Sequence, residues 1–511
     1  MTRRPNILFI TSDQQRADCY GFEGRRVKTP HLDELASGGT RFSACITPNL
    51  VCQPSRSSIL TGLLPLTHGV SDNGIDLPPA IGEQGYSSAL GSRGYRTALI
   101  GKAHFNTSHT FAPTGTPECR ESSANFADDW NGPYMGYEHV ELMLEGHNHF
   151  PPMKPPRGHH YERWYHADGR GEERTALYNK QLPPLTDACQ TWNSALPVAW
   201  HNSTWIGDRT IEYMRRHRDE PFCVWASFPD PHHPFDAPEP WCYMHHPEEV
   251  DLPAHRTLDL DRRPWWHRAS LEGRPQMKSE ELRGFREKFS RTPVQNDAQL
   301  RRLIANYYGM ISLIDHQVGR MRLALRDLGL ADNTIVVYST DHGDWLGEHG
   351  LLLKGPMAYE GLLRVGLLFA GPGVPAGRVI DDPVSTLDLP ATFCDYAGTT
   401  LPAEAHSCSL RPMIEQRDNR GRDFAYSEWN LRASRSGVDL NLRTVRTRSH
   451  KLTLELVSGA GELYDLANDP QEMDNRFDDS GLRAVQGELT DMIQSRPDDA
   501  LNPPLTQIGM A

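Results

Sequence analysis

The feature that most constrains the fold of this 511-residue chain is a repeated pattern in which a short apolar run ends in a cluster of polar residues. The pattern occurs in the segments 6–14, 97–104, 222–233 and 334–344. Apolar runs of strand length, with helices between them, are typical of a parallel sheet that is covered on both faces. Because ligands bind at the carboxyl ends of the strands in such sheets, we expect the four polar clusters to converge at one edge.

Helices are predicted between these strands. Apolar residues at steps of three and four from Leu300 predict one long core-facing helix that ends at Gly329, and a second helix is predicted over about 204–217. The stretches 111–201 and 236–293 lack this periodicity but are rich in aromatic residues, so we expect them to form ordered walls around a pocket. Five tryptophans could line a pocket for an aromatic or quaternary ammonium group, although isolated tryptophans more often belong to a core or an interface. They are Trp130, Trp164, Trp192, Trp241 and Trp265.

The sequence pattern changes after about Leu401, which predicts two domains. The first, 1–403, would be the large α/β domain, and the second, 404–511, a smaller α+β domain with an antiparallel sheet. Within the second domain we expect strands over 441–456 and 462–466, a helix over 480–493 and a loose tail over 502–511. We also expect a homo-oligomer that forms through this tail.

Composition excludes several classes of partner. The 53 Lys and Arg against 66 Asp and Glu give a net charge of −13, and no basic block is present, so nucleic acid is not expected to be a partner. No apolar segment approaches the length of a membrane span, and the first eleven residues are too short for a secretion signal. Nine scattered cysteines predict buried thiols rather than disulfides or a zinc cluster. We therefore expect a cytoplasmic protein without a membrane partner.

The segment from Cys52 to Gly62 is the first candidate for chemistry. Pro54 fits a first helical turn and Gly62 a helix end, so Cys52 would lie at a helix amino terminus, where the peptide dipoles favour anions. Arg56 would lie one turn further along the same side. The local pattern alone is equally compatible with a buried structural cysteine.

The whole segment reads Cys-x-Pro-Ser-Arg-x-x-x-Leu-Thr-Gly, which resembles the signature of the sulfatase family. The resemblance extends from Asn6 to Leu466. It implies an alkaline phosphatase-like fold and conversion of the signature cysteine, here Cys52, to formylglycine. A formylglycine-generating enzyme, or an equivalent maturation enzyme, would then be a partner of this chain.

Acidic residues follow two of the predicted strands. Asp13 and Gln14 follow the first, Asp341 and His342 follow a late one, and a parallel sheet could bring the two strand ends together. Hard divalent cations prefer such oxygen ligands. The resemblance implies that these four residues bind a divalent cation together with the formylglycine at position 52. We predict Ca²⁺ with Mn²⁺ as the alternative, since many family members carry Asp in place of Gln14 and the identity of the metal therefore stays open.

Cationic and amide side chains form the third candidate set, and their roles are implied by the resemblance. Asn73 and Lys102 would bind the transferred sulfuryl group. His232, helped by Lys354, would protonate the leaving oxygen, and the neighbouring His233 is the competing candidate. The implied catalytic residues are Cys52, Arg56, His104, His232 and Lys354.

The predicted function is hydrolysis of a small sulfate monoester, such as an aryl, alkyl or choline-like sulfate, with a formylglycine nucleophile and a divalent metal. The nearest alternative is hydrolysis of a phosphonate monoester or phosphodiester, carried out by relatives that tend to have Tyr and Thr in place of Lys102 and His104. Two further alternatives are an inactive relative that binds an anionic ligand and a metal-independent thiol hydrolase.

Overall fold

The structure is a computed structural model that describes residues 4–146, 149–416 and 421–510. Its strands are β1 (Asn6–Ser12), β2 (Thr40–Phe42), β3 (Cys45–Ile46), β4 (Arg96–Gly101), β5 (His139–Leu142), β6 (Gln181–Leu182), β7 (Asn193–Ser194), β8 (Phe222–Ser227), β9 (Thr334–Thr340), β10 (Leu367–Ala370), β11 (Arg378–Ile380), β12 (Val384–Ser385), β13 (Ala425–Leu431), β14 (Leu440–Arg446), β15 (His450–Glu455) and β16 (Gly461–Asp465). Its α-helices are α1 (Pro30–Ser37), α2 (Cys52–Thr61), α3 (Pro65–His68), α4 (Pro79–Gly82), α5 (Tyr86–Gly91), α6 (His160–His166), α7 (Gly171–Tyr178), α8 (Asn202–Arg216), α9 (Trp265–Glu272), α10 (Glu280–Phe289), α11 (Asp297–Asp327), α12 (Glu360–Leu363), α13 (Leu389–Ala397), α14 (Arg411–Ile414), α15 (Ala433–Ser436) and α16 (Arg483–Gln494).

An eight-stranded sheet forms the centre of the molecule, with the strand order β11-β2-β10-β9-β1-β8-β4-β5. All its pairings are parallel except those of β10, which runs antiparallel to both of its neighbours. The four apolar runs singled out in the sequence are the adjacent strands β9, β1, β8 and β4. The predicted mostly parallel α/β fold is therefore confirmed.

The central strands end level with one another. Ser12 pairs with Thr340, and Ser227 pairs with both Thr11 and Gly101. Because parallel strands in register end at the same edge, the residues that follow them are brought together there. This register explains why polar clusters from distant parts of the sequence converge.

Helices cover both faces of this sheet. Alternate residues of β1 point to opposite sides, so Ile7 and Phe9 join one apolar cluster while Leu8 and Ile10 join another. The second cluster includes residues of α8 and α11, which correspond to the two predicted helices within a few residues at each end. In the described ranges, no helix has the length and apolar character needed to cross a membrane.

A four-stranded antiparallel sheet, β13-β14-β15-β16, forms the smaller carboxyl-terminal part together with α16. The predicted strands and helix of this part are present, but β13 was not predicted. Its sequence does not alternate cleanly, because Ser427 and Glu428 are buried along with their apolar neighbours. Glu428 is accommodated there by an ion pair with Arg496 at 2.6 Å. The domain boundary at 403/404 stays a prediction.

The prediction of a loose tail over 502–511 is wrong for the residues that the structure describes. The amide of Ile508 donates to the carbonyl of Gly74 at 2.8 Å, and the amide of Met510 donates to the carbonyl of His109 at 2.9 Å. Phe111 in turn donates its amide to the carbonyl of Ile508 at 2.8 Å. The tail is held by backbone hydrogen bonds, which sequence periodicity does not reveal.

Hydrogen exchange tests this arrangement of the tail. We expect the amides of Ile508 and Met510 to exchange at least about 100-fold more slowly than an unstructured chain, because exchange requires their hydrogen bonds to open. The exposed segment 498–500 serves as a fast-exchanging internal reference. Exchange of both amides at the reference rate, measured by mass spectrometry on overlapping peptides, would show that the tail is loose after all.

Candidate active site

Cys52 is the first residue of α2, at the edge of the sheet where the central strands end. Its side chain is only 1% exposed, and the helix ends at Gly62 in the left-handed conformation that favours glycine. The predicted position of the cysteine at a helix amino terminus is therefore present in the structure. One turn along, Arg56 lies fully buried on the same helix.

Arg56 connects the ends of the central strands. Its Nε donates to Asp341 Oδ2 at 2.8 Å, and its Nη2 to Asp13 Oδ2 at 3.3 Å. Its Nη1 donates to the carbonyl of Lys102 at 3.0 Å and to Ser227 Oγ at 2.8 Å. One guanidinium thus contacts residues that end or follow β1, β4, β8 and β9. A fully buried cation of this kind needs such a set of acceptors, since its desolvation is otherwise costly.

Four predicted metal ligands lie together. One ligand atom each from Asp13, Cys52, Asp341 and His342 falls within a group whose members are all within 4.8 Å of one another. The Nδ1 of His342 contacts the carbonyl of Gly343 at 2.9 Å, which places the proton there in the neutral ring and turns the Nε2 lone pair toward Cys52 Sγ at 3.1 Å. This donor set fits a divalent cation.

Gln14 lies beside this group but is oriented by a different residue. Its backbone amide donates to Asp341 Oδ1 at 3.2 Å, and its Nε2 donates to Asp344 Oδ2 at 2.5 Å. The Oε1 of Gln14 is buried and has no hydrogen-bond partner in the part of the chain that the structure describes. This oxygen is available as a further ligand, which agrees with the predicted donor set.

The two predicted lysines approach the site from different sides. Lys354 Nζ lies 3.0 Å from Cys52 Sγ and 2.9 Å from His232 Nε2. Lys102 Nζ donates to Asp13 Oδ2 at 2.6 Å, and both lysines line the cavity above Cys52. Lys354 therefore bridges the proposed nucleophile position and His232.

The cations dominate the electrostatics around Cys52. Burial and the Asp13 carboxylate act to raise the pKa of the Cys52 thiol, but Lys102, Lys354 and His342 together lower this pKa to about 5. Burial likewise acts against ionisation of Asp13, yet Lys102 and other nearby cations hold the pKa of Asp13 well below its usual range. The site is therefore built to hold negative charge at position 52.

The structure distinguishes the two neighbouring histidines. His232 Nε2 lies against Lys354, whereas His233 Nδ1 lies 3.3 Å from Gln14 Nε2. Both rings line the cavity, as do His104 and Asn73. Asn73 Oδ1 accepts a hydrogen bond from the amide of Gln53 at 3.0 Å, in the first turn of α2. All the predicted site residues are thus brought to one place.

Two acids that support this site were not predicted. Glu118 accepts hydrogen bonds from the amides of His104, Phe105 and Asn106, and it holds His104 in a left-handed conformation (φ 57°). Asp344 Oδ1 accepts from the amide of Leu353 at 3.1 Å, immediately before Lys354. Asp344 could have been suspected from its place in the post-strand cluster 341–344. Glu118 lies in an irregular segment that carries no comparable signal.

The cavity above Cys52 has a volume of about 330 Å³ and is partly formed by the two irregular stretches, as predicted. The prediction that five tryptophans line it is wrong. Among the described residues, Trp345 is the one tryptophan in its wall, and the aromatic lining is supplied mainly by Phe150, Phe285 and Phe289. Trp130, for example, packs against Phe126 at a ring-centroid distance of 4.9 Å.

A second cluster of potential metal ligands, His255, Asp259 and His349, lies elsewhere. Arg263 donates to Asp259 Oδ2 at 2.7 Å and approaches His349 Nδ1 at 3.3 Å. A guanidinium at this position already neutralises the carboxylate and repels a second cation. We therefore interpret this cluster as a structural ion pair.

The role of Arg56 leads to a stability prediction. Arg56→Met should lower the free energy of unfolding by about 3–5 kcal/mol, because the buried Asp341 loses its guanidinium partner and the buried Asp13 keeps only Lys102. For a chain of this length that corresponds to a fall in Tm of about 3–5 °C, measured in chelator by differential scanning calorimetry. The control is Arg283→Met, whose pair with Glu280 is solvent-exposed and should change Tm by less than about 1 °C. Equal Tm values for the two variants would contradict the prediction.

Comparisons with known proteins agree with this geometry. The sulfatase family model matches residues 5–399, and a model of the carboxyl-terminal region of N-sulphoglucosamine sulphohydrolase matches residues 347–498. An arylsulfatase of Clostridium perfringens is 29% identical over 492 residues, which cover 92% of this chain and 90% of the relative. A choline-sulfatase of Rhizobium meliloti is 27% identical over 424 residues, or 81% of this chain and 72% of the relative.

The fold is also shared with a solved structure. The crystal structure of the phosphonate monoester hydrolase of Agrobacterium radiobacter matches with a TM-score of 0.78 and 25% identity, covering 96% of this chain and 95% of that one. Because the family model matches well over half of the chain and these relatives align along most of their length, the resemblance seen in the sequence is confirmed. This chain belongs to the sulfatase family and is a sulfatase enzyme.

Proposed function

We propose that this enzyme hydrolyses a small sulfate monoester with a formylglycine at position 52 and one divalent cation. The observation that carries the proposal is the contact of position 52 with Lys354 and with the metal-ligand group of Asp13, Asp341 and His342. A formylglycine hydrate would supply a hydroxyl nucleophile and a second hydroxyl for release of sulfate, and the bound cation would lower the pKa of the nucleophile.

The metal site would be formed by Asp13, Gln14, Asp341, His342 and position 52. Two carboxylates and an amide oxygen favour a hard cation such as Ca²⁺, and the imidazole of His342 suits Mn²⁺ better. Arg56 contacts one oxygen of each carboxylate, so each carboxylate still has lone pairs that could bind the metal. Arg56 and the cation would thus share the same two acids.

The sulfuryl oxygens would be bound by Lys102, Lys354 and Asn73, which line the inner end of the cavity. Charge-assisted hydrogen bonds from fixed donors in a buried site stabilise charge that develops in the transition state. Asp344, through the amide of Leu353, fixes the loop that carries Lys354. Asp344 would therefore act as a positioning residue.

Protonation of the leaving oxygen would involve His232 and Lys354. His232 Nδ1 contacts the carbonyl of His233 at 2.7 Å, so the neutral ring carries its proton at Nδ1. Its Nε2 accepts a hydrogen bond from Lys354 Nζ. Burial and the nearby Lys354 lower the pKa of His232 well below its usual value. His232 would therefore protonate the leaving oxygen with a proton supplied by the Lys354 ammonium.

His104 would accept the proton whose removal allows sulfate to leave. Burial, together with Lys102 and Arg56, lowers the pKa of His104 well below its usual value, so the ring is neutral and able to accept. Its Nδ1 has no hydrogen-bond partner among the described residues. Glu118 fixes its backbone, which keeps the ring against the cavity.

Hydrolysis of a phosphonate monoester or phosphodiester is the second candidate, favoured by the structural match to a phosphonate monoester hydrolase. Lys102 and His104 at the inner end of the cavity add a cation and a proton acceptor that suit a sulfate monoester.

We also infer that the enzyme works in the cytoplasm as a homo-oligomer. Its nine cysteines are all free thiols in the structure, which supports a reducing compartment.

The proposal is tested first at position 52. In the protein matured in its native host or together with a formylglycine-generating enzyme, mass spectrometry of the peptide with residue 52 should show an aldehyde in place of the thiol. Hydrolysis of 4-nitrophenyl sulfate should be lost in Cys52→Ala and after chelation of the metal. Full activity of either preparation would reject the proposed sulfatase mechanism. A higher kcat/KM for the phenylphosphonate ester with the same 4-nitrophenol leaving group than for 4-nitrophenyl sulfate would reject it as well.

The role of His232 is tested with two leaving groups. His232→Asn should lower kcat/KM for phenyl sulfate by about 10²–10⁴-fold, and for 4-nitrophenyl sulfate by at least about tenfold less, because nitrophenolate leaves without protonation. His233→Asn is the matched control and should change kcat/KM for both esters by the same factor. An equal loss on both esters in His232→Asn would exclude His232 from leaving-group protonation.

A further inference from the structure

The outer part of the cavity is formed by one face of helix α10. Phe285, Arg286 and Phe289 of this helix line it, next to Phe150 from the first irregular stretch. The rings of Phe150 and Phe285 are stacked, with centroids 4.6 Å apart and planes inclined by 12°. Flat apolar walls of this kind suit an aromatic group.

Arg286 is an unusual member of this wall. Its side chain is buried, with the residue only 4% exposed, and its Nη2 donates to the carbonyl of Met510 at 2.6 Å. Its Nε has no hydrogen-bond partner, and no carboxylate lies within 4.0 Å of it in the part of the chain that the structure describes. Buried arginines are normally paired with an acid, because an unpaired buried charge is costly.

A second arginine lies in the same wall. Arg435 stands over the ring of Trp429 at 5.4 Å and has no acidic partner within 4.0 Å in the described ranges. Burial and the charge of Arg435 lower the pKa of Arg286 to about 9, although the buried Asp72 carboxylate, which accepts a hydrogen bond from the amide of Asn73 at 2.8 Å, acts in the opposite direction. The two guanidiniums thus disfavour each other in the absence of an anion.

The acids that line the cavity do not compensate for this charge. Glu145 lies 3.2 Å from Arg120 Nε and 3.6 Å from His109 Nε2. Glu118 is occupied by backbone amides and by the hydroxyl of Tyr134 at 2.7 Å. Glu118 thus has its own donors, and burial raises the pKa of Glu145 to about 8, so the uncompensated charge in the outer cavity is positive.

We propose that the outer cavity binds a second anionic group of an aromatic sulfate ester, with Arg286 as the main specificity residue and Arg435 beside it. The anion would be a carboxylate or a sulfonate-like group on a substrate ring that packs against these phenylalanines from the cavity side. This inference rests on the proposed function, since the sulfate ester is bound at the inner end. It replaces the quaternary ammonium group expected from the sequence, because two unpaired guanidiniums repel such a cation.

The tail takes part in this arrangement. The carbonyl of Met510 accepts the hydrogen bond from Arg286, and Met510 itself lines the cavity. The backbone hydrogen bond of Met510 to His109 fixes this carbonyl. The carboxyl-terminal segment therefore positions the guanidinium that would bind the substrate's second anion.

The test compares esters that differ in the distal group alone. The ring methylene of 4-(sulfooxy)phenylacetate insulates the phenol, so this ester and its neutral carboxamide have nearly the same leaving group. We expect kcat/KM for the acid to exceed that for the amide by at least about tenfold in the wild type. The sulfonate 4-(sulfooxy)phenylmethanesulfonate distinguishes the two kinds of anion. Arg286→Gln should lower the acid-to-amide ratio to about 1, and the matched control Arg283→Gln, on the exposed face of α10, should retain it.

A second measurement separates this inference from the proposed function. Calorimetric titration of the Cys52→Ala protein with the same acid and amide reports binding without turnover. A preference for the acid in binding but no hydrolysis of any aryl sulfate by the wild type would reject the proposed function and support the anion site. Hydrolysis without any preference for the acid, or an unchanged ratio in Arg286→Gln, would overturn the anion site.

Discussion

The buried contacts of Arg56 with Asp13 and Asp341 are the interaction on which the rest of the site depends. The two acids follow neighbouring parallel strands in register, so folding brings their charges together in a fully buried place. Like charges at this distance in a low-dielectric interior repel strongly, and a cation must stand between them. Arg56 is supplied by the helix that also carries position 52. The helix and the sheet therefore cannot be assembled without placing position 52 beside the proposed metal ligands.

This dependence explains which parts of the site could be predicted. Asp13, Lys102, His232 and Asp341 follow apolar runs of strand length, and such runs are a local signal that the sequence displays directly. Because the four strands are parallel and in register, the residues that follow them lie together in one site. The signature around Cys52 added the chemistry, because its spacing as a whole is specific although each residue in it is common.

The parts that could not be predicted depend on contacts between distant segments. Glu118 binds three amides of the loop at His104, and Arg286 binds the carbonyl of Met510, 224 residues further along the chain. No periodicity or motif encodes such pairs. The aromatic walls show the same limit: composition indicated an aromatic pocket, but tryptophans such as Trp130 pack against other rings, while Phe285 and Phe289, one helical turn apart, face the cavity.

The net charge of −13 raises the question of how such a protein attracts anions at all. At physiological ionic strength the field of exposed carboxylates decays over about 8 Å, whereas charges buried in the cavity are screened far less. Lys102 and Lys354 at the inner end, and Arg286 and Arg435 further out, all line one cavity of about 330 Å³. These cations, of which Lys102 and Arg286 are buried, therefore determine the potential that a bound ester experiences. The acidic surface acts mainly on molecules still in solution, so it slows the approach of anions without weakening the site that holds them.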